Sequence, residues 1–417
     1  MTPDKPAAIV AHLMTSVSRG GLELYVRELI VKLHGSGVQQ VVVCDQQAFM
    51  IPELRSLGIA VEFIPRGSRY SLARMLRLRK IDKQYGVGLW HSHQRDDMIL
   101  VALAFFFRRA RMPAGRREHG GFQGGGRKVS KSQRQRGTAF RHIFSLYMGF
   151  ARKKDLLHRL VYRRIERLVT TSELMNSLAL QRLPVSERQV QCIRYGRDEK
   201  AFAVQAAKVR AVRRELGLKA SQRLVVSLCR LDPMKGVREF VEAARLVDNR
   251  VRGKFRFVQI GERTIIGFDD EKRPIYLPES EDCYRQLVAA ERGAQGTSRF
   301  KLLPFQKDYQ PYLLAADYFV LGSYDEMYSL SVIDAMMAGA LVIGTNNGGT
   351  VEQLAGQGSE RGILIESKSA IAIADALLRT EKNPALKTRL QKAAQAWVLK
   401  EHTWKAVLPQ WLALYRG

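Results

Sequence analysis

A chain of 417 residues, 46% of them apolar, can bury the cores of two ordinary domains and is not a disordered polymer. Its formal net charge of +28 is uneven: residues 1–200 hold 36 Lys/Arg against 16 Asp/Glu, and the remainder 32 against 24. The N-terminal half therefore calls for an anionic partner: nucleic acid, an anionic membrane or a phosphorylated acceptor.

Residues 7–13 read as a first strand. A helix is expected over 22–34, where Leu22, Val26, Leu29, Ile30 and Leu33 recur at helical spacing. Gly20 and Gly21 before it let the backbone approach a phosphate at the helix N-terminus, although a plain tight turn uses the same pair. Strands follow at 38–44, 59–64 and 88–91 with helices between them, and the alternation argues for a parallel, doubly wound sheet. His91 and His93 fit the mouth of a cleft or a structural role equally. The longest apolar run, 98–107, has ten residues, too short to span a bilayer, and the N-terminus lacks a signal-peptide core. A soluble or peripheral protein is expected. Glu118-His119-Gly120 stands where a fifth strand should end.

Residues 122–165 are the least typical part. Between 105 and 165 there are 17 Lys/Arg and only two acids, Glu118 and Asp155. A solvated helical surface with a loop is one reading. The other, favoured by the scarcity of acids, is a docking surface for anionic lipid headgroups or a lipid-linked sugar phosphate. Arg127, Lys128, Lys131, Arg134, Arg136, Arg152, Lys153 and Lys154 would form it, with Phe144, Tyr147 and Phe150 dipping into the interface. Strands at 168–172 and 189–195 and a linker near 203–221 complete the first half.

A strand at 224–228 opens the second half and runs into Arg230-Leu231-Asp232-Pro233-Met234-Lys235-Gly236. The Arg fork and the Lys point charge, followed by Gly and a helix over 237–247, suit a diphosphate, or else form a surface turn. The strand at 255–260 ends in Gly261-Glu262, and the polar loop 263–281 has no evident role. After 300–304 comes Tyr309-Gln310-Pro311-Tyr312. A strand at 318–321, a polar loop, a helix over 332–338 with Ser331 as N-cap and Gly339 as its stop, and a strand at 341–345 then form one unit. Unpaired N–H groups converge at such a loop and favour anionic ligands. Glu326 and Asp334 flank that helix start. They can hold a sugar and a ribose, or Asp334 can complete a capping box with Ser331 while Glu326 is solvated. The cysteines (44, 192, 229 and 283) follow no metal or redox spacing, which suits free thiols in a reducing cytosol, with Cys44 and Cys229 buried at strand ends. There is no Asp-x-Asp metal motif.

Glu326, seven residues, then Asp334-Ala335-Met336-Met337-Ala338-Gly339 resembles the signature of retaining GT-B glycosyltransferases of family 4, Glu, seven residues, Glu-Ala-Met-Ala-Ala-Gly. Asp334 replaces the second Glu, and Met327 replaces a small Gly and could narrow the donor-sugar pocket. Arg230 to Gly236, Gly348 to Glu352, the Gly20-Gly21-x-Glu23 loop, Glu118-His119-Gly120 and Tyr195-Gly196-Arg197-Asp198 are similar to further family segments, so the resemblance covers nearly the whole chain. It implies an α/β GT-B fold, two doubly wound Rossmann-like domains facing across a cleft. Residues 1–205 would be the acceptor side with the basic insertion, 206–395 the nucleotide-sugar side, and 396–417 a helix crossing back.

The resemblance further implies that Arg230 and Lys235 clamp the donor diphosphate and that His119 lies against the donor sugar. Glu326, Met327, Tyr328, Ser329, Leu330, Asp334, Gly20, Gly21 and Gly261 would line the donor. The co-substrate would be a nucleotide-diphosphate sugar, a UDP-sugar by preference, with no metal or other cofactor. The charge of the N-terminal half, and not the resemblance, points to the remaining partners: a cell-envelope acceptor such as a lipopolysaccharide core or lipid-linked glycan and an anionic membrane surface, not nucleic acid, with the location cytoplasmic, on the inner face of the membrane. The rivals are a sugar-nucleotide epimerase on the same fold, a basic nucleic-acid-binding protein without catalysis, and a degenerate transferase that binds donor without turnover.

Overall fold

The computed structural model describes residues 9–108, 140–203, 205–271, 273–293 and 299–416. The first sheet holds β1 (Ile9–Met14), β2 (Gln40–Cys44), β3 (Ala60–Phe63), β4 (Val87–Ser92), β5 (His142–Ser145), β6 (Arg167–Thr170) and β7 (Val190–Cys192). All are parallel, in the order β3-β2-β1-β4-β5-β6-β7. The second sheet comprises β8 (Arg223–Leu228), β9 (Phe255–Ile260), β12 (Phe300–Leu303), β13 (Tyr318–Leu321), β14 (Leu341–Thr345) and β15 (Ile363–Ile365). It too is parallel, ordered β12-β9-β8-β13-β14-β15. An antiparallel hairpin, β10 (Ile265–Phe268) and β11 (Pro274–Tyr276), stands apart from both and occupies the polar loop left without a role.

Runs such as Val41-Val42-Val43 and Phe319-Val320-Leu321 are buried throughout, as strands covered on both faces require. In each sheet the strand order reverses once, between β1 and β4 and between β8 and β13. Ligands of doubly wound sheets bind at the carboxyl ends of the strands at such a reversal. The segments leaving those four strands are 15–21, 93–94, 230–236 and 322–329, and they hold most of the expected catalytic and donor-binding residues.

Two expectations change. The strand that pairs with β4 is His142–Ser145, inside the stretch read as an insertion, and the expected strand end at 118–120 lies outside the described residues. Phe144 is consequently fully buried in that strand and Tyr147 is buried beyond it, while Phe150 packs against the same cluster as Phe144. Neither Phe144 nor Tyr147 can dip into a membrane, because the sheet core has already claimed them. The helix expected over 332–338 runs Leu330–Met337, and Ser329 rather than Ser331 caps it, its Oγ accepting from the Val332 N–H. Gly339, at φ +82°, ends it as expected.

The helix Trp404–Arg416 lies on the first sheet. Arg141, preceding β5, donates to the carbonyls of Leu414 and Tyr415 at 2.9 and 2.6 Å, satisfying two orphan acceptors of the helix end while pairing with Glu166. Trp404 stacks on Tyr25 and donates its indole N–H to Glu28.

Candidate functional site

The two reversals face each other across a cleft of about 890 Å³. On the first-sheet side, Gly20 precedes the helix Gly21–Gly35. The buried Glu23 carboxylate accepts from the Gly20 N–H at 2.9 Å and from Ser16 Oγ at 2.6 Å. Glu23 thus fixes the glycine loop rather than facing a ligand. A Cβ at Gly21 would lie 3.4 Å from Leu330 of the opposite domain, so the two walls come close there.

On the second-sheet side, Asp232 caps the single turn Pro233–Lys235. Gly236, at φ +67°, lies so close to the Gly322 carbonyl that a Cβ would fall 2.2 Å from its oxygen. That approach locks the Arg230–Gly236 loop against the loop carrying Glu326. Gly349 performs the same service from behind: its N–H donates to the Glu326 carbonyl at 2.8 Å, and a Cβ would sit 1.7 Å from the Met327 oxygen. Gly261 closes on Cys229 in the same manner.

Lys235 Nζ donates to Glu326 Oε2 at 2.8 Å. Burial pulls the Lys235 ammonium down, but the adjacent carboxylate outweighs it and lifts its pKa above the ordinary value, so it stays charged. Arg230 is exposed to the cleft, donates to Thr264 Oγ1 at 3.2 Å, and pairs with no carboxylate among the described residues. Among the described residues the site thus presents Arg230, a cation without an acid partner, Lys235, a cation shared with Glu326, and a helix N-terminus at Leu330, a set suited to an anion.

The structure brings together Gly20, Gly21, Arg230, Lys235, Gly261, Glu326, Tyr328, Ser329, Leu330 and Asp334 along this cleft. It treats two of the expected donor contacts differently. The Met327 side chain turns away and packs beside Gly149 and the apolar cluster that includes Met98 and Phe144, where a long apolar side chain gains burial. Asp334 is buried, and its two oxygens accept from Arg197 Nε at 2.6 Å and Nη2 at 2.9 Å. Tyr309 OH donates to it as well, at 2.7 Å. Its carboxylate is held by these protein donors at the edge of the cleft, and Ser329, not Ser331, caps its helix.

Arg197 also donates to Glu28 at 2.7 Å, and Arg194 bonds Glu352 at 2.8 Å and Tyr328 OH at 2.6 Å. These two arginines, given no role from the sequence, pin the segment after β7 to the second domain. Arg194 carried no local signal, and Arg197 stood only as part of the Tyr195-Gly196-Arg197-Asp198 segment. The hairpin walls the cleft with Ile265, Phe268, Pro274 and Tyr276. Arg263 at its root lies 3.7 Å from the Tyr276 ring centre and 4.4 Å from that of Tyr284. Buried Ser280 ties that root to the Leu231 carbonyl.

His91 and His93 are buried beside His12, with ring nitrogens within 4.8 Å of one another. Tyr415 OH and Ser145 Oγ already engage both His91 nitrogens, so this is a hydrogen-bonded stack behind the site. His119, Arg127, Lys128, Lys131, Arg134 and Arg136 lie outside the described residues. Arg152 is exposed and Lys153 and Lys154 are half-buried, on the segment after β5. Cys44 is buried, whereas Cys229 is only partly so.

Residues 19–200 match the family model described as Glycosyltransferase Family 4, and residues 208–397 that described as Glycosyl transferases group 1. TuaC of Bacillus subtilis, named for glycosyl transfer in teichuronic acid biosynthesis, is 31% identical over 170 residues, 41% of this chain and 36% of that protein. The chain spans less than half the length of the curated relatives it matches. A glycosyltransferase of Rickettsia africae superposes over 99% of this chain and 98% of its own, with a TM-score of 0.77 and 16% identity. Anabaena Alr3699/HepE, solved with UDP and glucose, superposes over 98% and 99%, with a TM-score of 0.75 and 15% identity. With a family model on each half and the same two-domain fold in these neighbours, the chain belongs to the GT-B glycosyltransferases of the family 4 type.

Proposed function

We propose that the protein is a retaining glycosyltransferase that moves a hexosyl unit from a nucleotide-diphosphate sugar to a hydroxyl of a cell-envelope glycan. The acceptor in this proposal is a lipopolysaccharide core or a lipid-linked oligosaccharide, reached from the inner face of the cytoplasmic membrane. The observation that carries it is Arg230, without a carboxylate partner among the described residues, beside the Lys235–Glu326 pair at a strand-order reversal opposite Gly20 and Gly21. A UDP-sugar is the favoured donor; a relative in fold, Alr3699/HepE, was solved with UDP and glucose.

Departure of the nucleoside diphosphate builds negative charge on the β-phosphate. Arg230 and Lys235 would stabilise it, with the N–H groups at the Leu330 helix start adding fixed positive potential, and no metal ion is needed in this scheme. A donor phosphate drawing Lys235 towards itself releases Glu326 to bond sugar hydroxyls. The sugar then carries oxocarbenium-like charge beside Glu326 and, by family resemblance, His119.

One observation favours a second reading. Asp334 is already held by Arg197, as in a protein that binds donor without turnover. Thermal denaturation with UDP, GDP, ADP and their sugars, with and without Mg²⁺, tests the first step. A ligand at 100 times its Kd should stabilise the fold by about 2.7 kcal/mol. Stabilisation by UDP without Mg²⁺ is expected, and no response to any nucleotide would overturn the proposal. Donor turnover lost in Glu326→Ala would then exclude the pure binder.

A further inference from the structure

The segment that leaves β5 is built unlike an ordinary surface. Residues 148–163 hold five Lys/Arg (Arg152, Lys153, Lys154, Arg159 and Arg163) and one acid, Asp155. Asp155 caps the helix Leu156–Tyr162 and lies 2.7 Å from His158 Nδ1, and the five cations outnumber it. Val161 and Tyr162 anchor the helix in the apolar cluster with Phe144 and Leu168. The outward side carries leucines: Leu156 is 74% exposed, Leu157 47% and Leu160 38%, and Met148 before the helix is 63% exposed. At about 3.6 residues per turn, Leu156 and Leu160 stack one turn apart with Leu157 beside them, and exposed Arg159 and Arg163 run along their flank.

Exposed leucines set in a rim of cations are an unusual expense for a water-facing helix and mark an interaction surface. A second copy of this chain fits poorly, since copies of net charge +28 repel. Nucleic acid would use the cations but leave the leucines in water. A bilayer with anionic headgroups uses both: acyl chains for the leucines, headgroup phosphates for the cations. We infer that Met148 and the helix Leu156–Tyr162 form a foot that seats the protein on an anionic lipid surface by inserting Leu156, Leu157 and Leu160. The foot is joined to the site. Met148 and Tyr147 line the cleft, and Gly149 packs against Met327, next to Glu326. Seated on this foot, the protein presents the cleft mouth to the bilayer, and a lipid-borne acceptor reaches Glu326 without leaving the membrane. This orientation rests on the proposed envelope acceptor, whereas the lipid contact does not.

The test is co-sedimentation of the full chain with vesicles of phosphatidylglycerol and phosphatidylcholine in equal parts, or of phosphatidylcholine alone. The wild type should bind the anionic vesicles only. The triple variant Leu156→Ser, Leu157→Ser, Leu160→Ser should bind them at least about tenfold more weakly while keeping its circular dichroism spectrum and its thermal response to UDP. Unchanged vesicle binding by the variant, or no binding by the wild type, overturns the inference. A concentration-dependent dimer in sedimentation velocity that the variant abolishes also overturns it and assigns the leucines to a second copy. A wild type that binds vesicles but shows no response to any nucleotide would sink the transferase proposal and leave the foot standing.

Discussion

Asp334 offers a carboxylate one methylene shorter than the glutamate of related signatures, and Arg197, 137 residues away, takes both of its oxygens. Burial pulls the Arg197 guanidinium down, but Asp334 outweighs it and raises its pKa further. Breaking such a pair from one side strands a buried charge. Arg197→Val should therefore lower stability by about 3–5 kcal/mol in urea titration, and adding Asp334→Asn should restore part of it, because no unpaired carboxylate remains at that position. Arg230 is the opposite case, exposed and without an acid partner among the described residues. Arg230→Ala should leave the urea midpoint unchanged and cut kcat by about 10²–10³-fold, as loss of one electrostatic contact in a transition state does. An unchanged kcat would remove Arg230 from the chemistry. The charge types of the site were legible in the chain because Arg, Lys and Glu at loop ends have few other uses. The Arg197 contact was not, since nothing local tells an arginine which distant acid it will meet.

Among the elements, the strands of both sheets were largely legible, because strands buried on both faces must be near-continuous apolar runs. β5 was the exception. His142-Ile143-Phe144-Ser145 is four residues long, and its neighbour Arg141 is a buried cation paired with Glu166, so the stretch looked like part of a basic surface. The hairpin β10–β11 was hidden for another reason: a polar loop carries no period until its two arms pair. Its cleft face adds Ile265, Phe268 and Tyr276 to a wall that also includes Phe305. Replacing residues 265–276 by a short Gly-Ser turn should weaken UDP binding by about tenfold, the worth of one good aromatic contact, without moving the melting temperature of the free protein. Calorimetric titration of UDP measures the first effect. A Kd unchanged by the excision would show that the hairpin does not touch the nucleotide.

For the whole molecule, the joint between the domains is also where protons matter. His12, in β1, and His142, in β5, are sealed inside the first domain and His402 between the domains, and burial lowers all three to about 3. His402 donates from Nδ1 to the Tyr195 carbonyl and lies 3.1 Å from Tyr328 OH, with Arg194 and Arg361 adding repulsion to any proton it gains. Burial likewise lowers His91 and His93 well below the ordinary value. In the folded protein these rings are neutral, while in the unfolded chain they take up protons below about pH 6.5. The unfolded state therefore binds more protons as pH falls, and stability that is complete above pH 6.5 is lost progressively towards pH 3. Each of the three histidines contributes a slope of about 1.4 kcal/mol per pH unit, together on the order of 4. Asp97, raised by burial to about 6 despite its bonds to Thr15, works in the opposite direction between its unfolded and folded values, but it is a single group. With total stabilities of about 5–15 kcal/mol typical, acid unfolding should begin near pH 5, far above the range where carboxylates alone would drive it. Urea midpoints measured from pH 7.5 downwards should fall steadily below about pH 6.5, with fluorescence of Trp404 and Trp411, which lie on the joint, following the same transition. A midpoint that stays level from pH 7 to pH 5 would mean that these histidines are open to water, and that the C-terminal helix does not seal the first sheet as described.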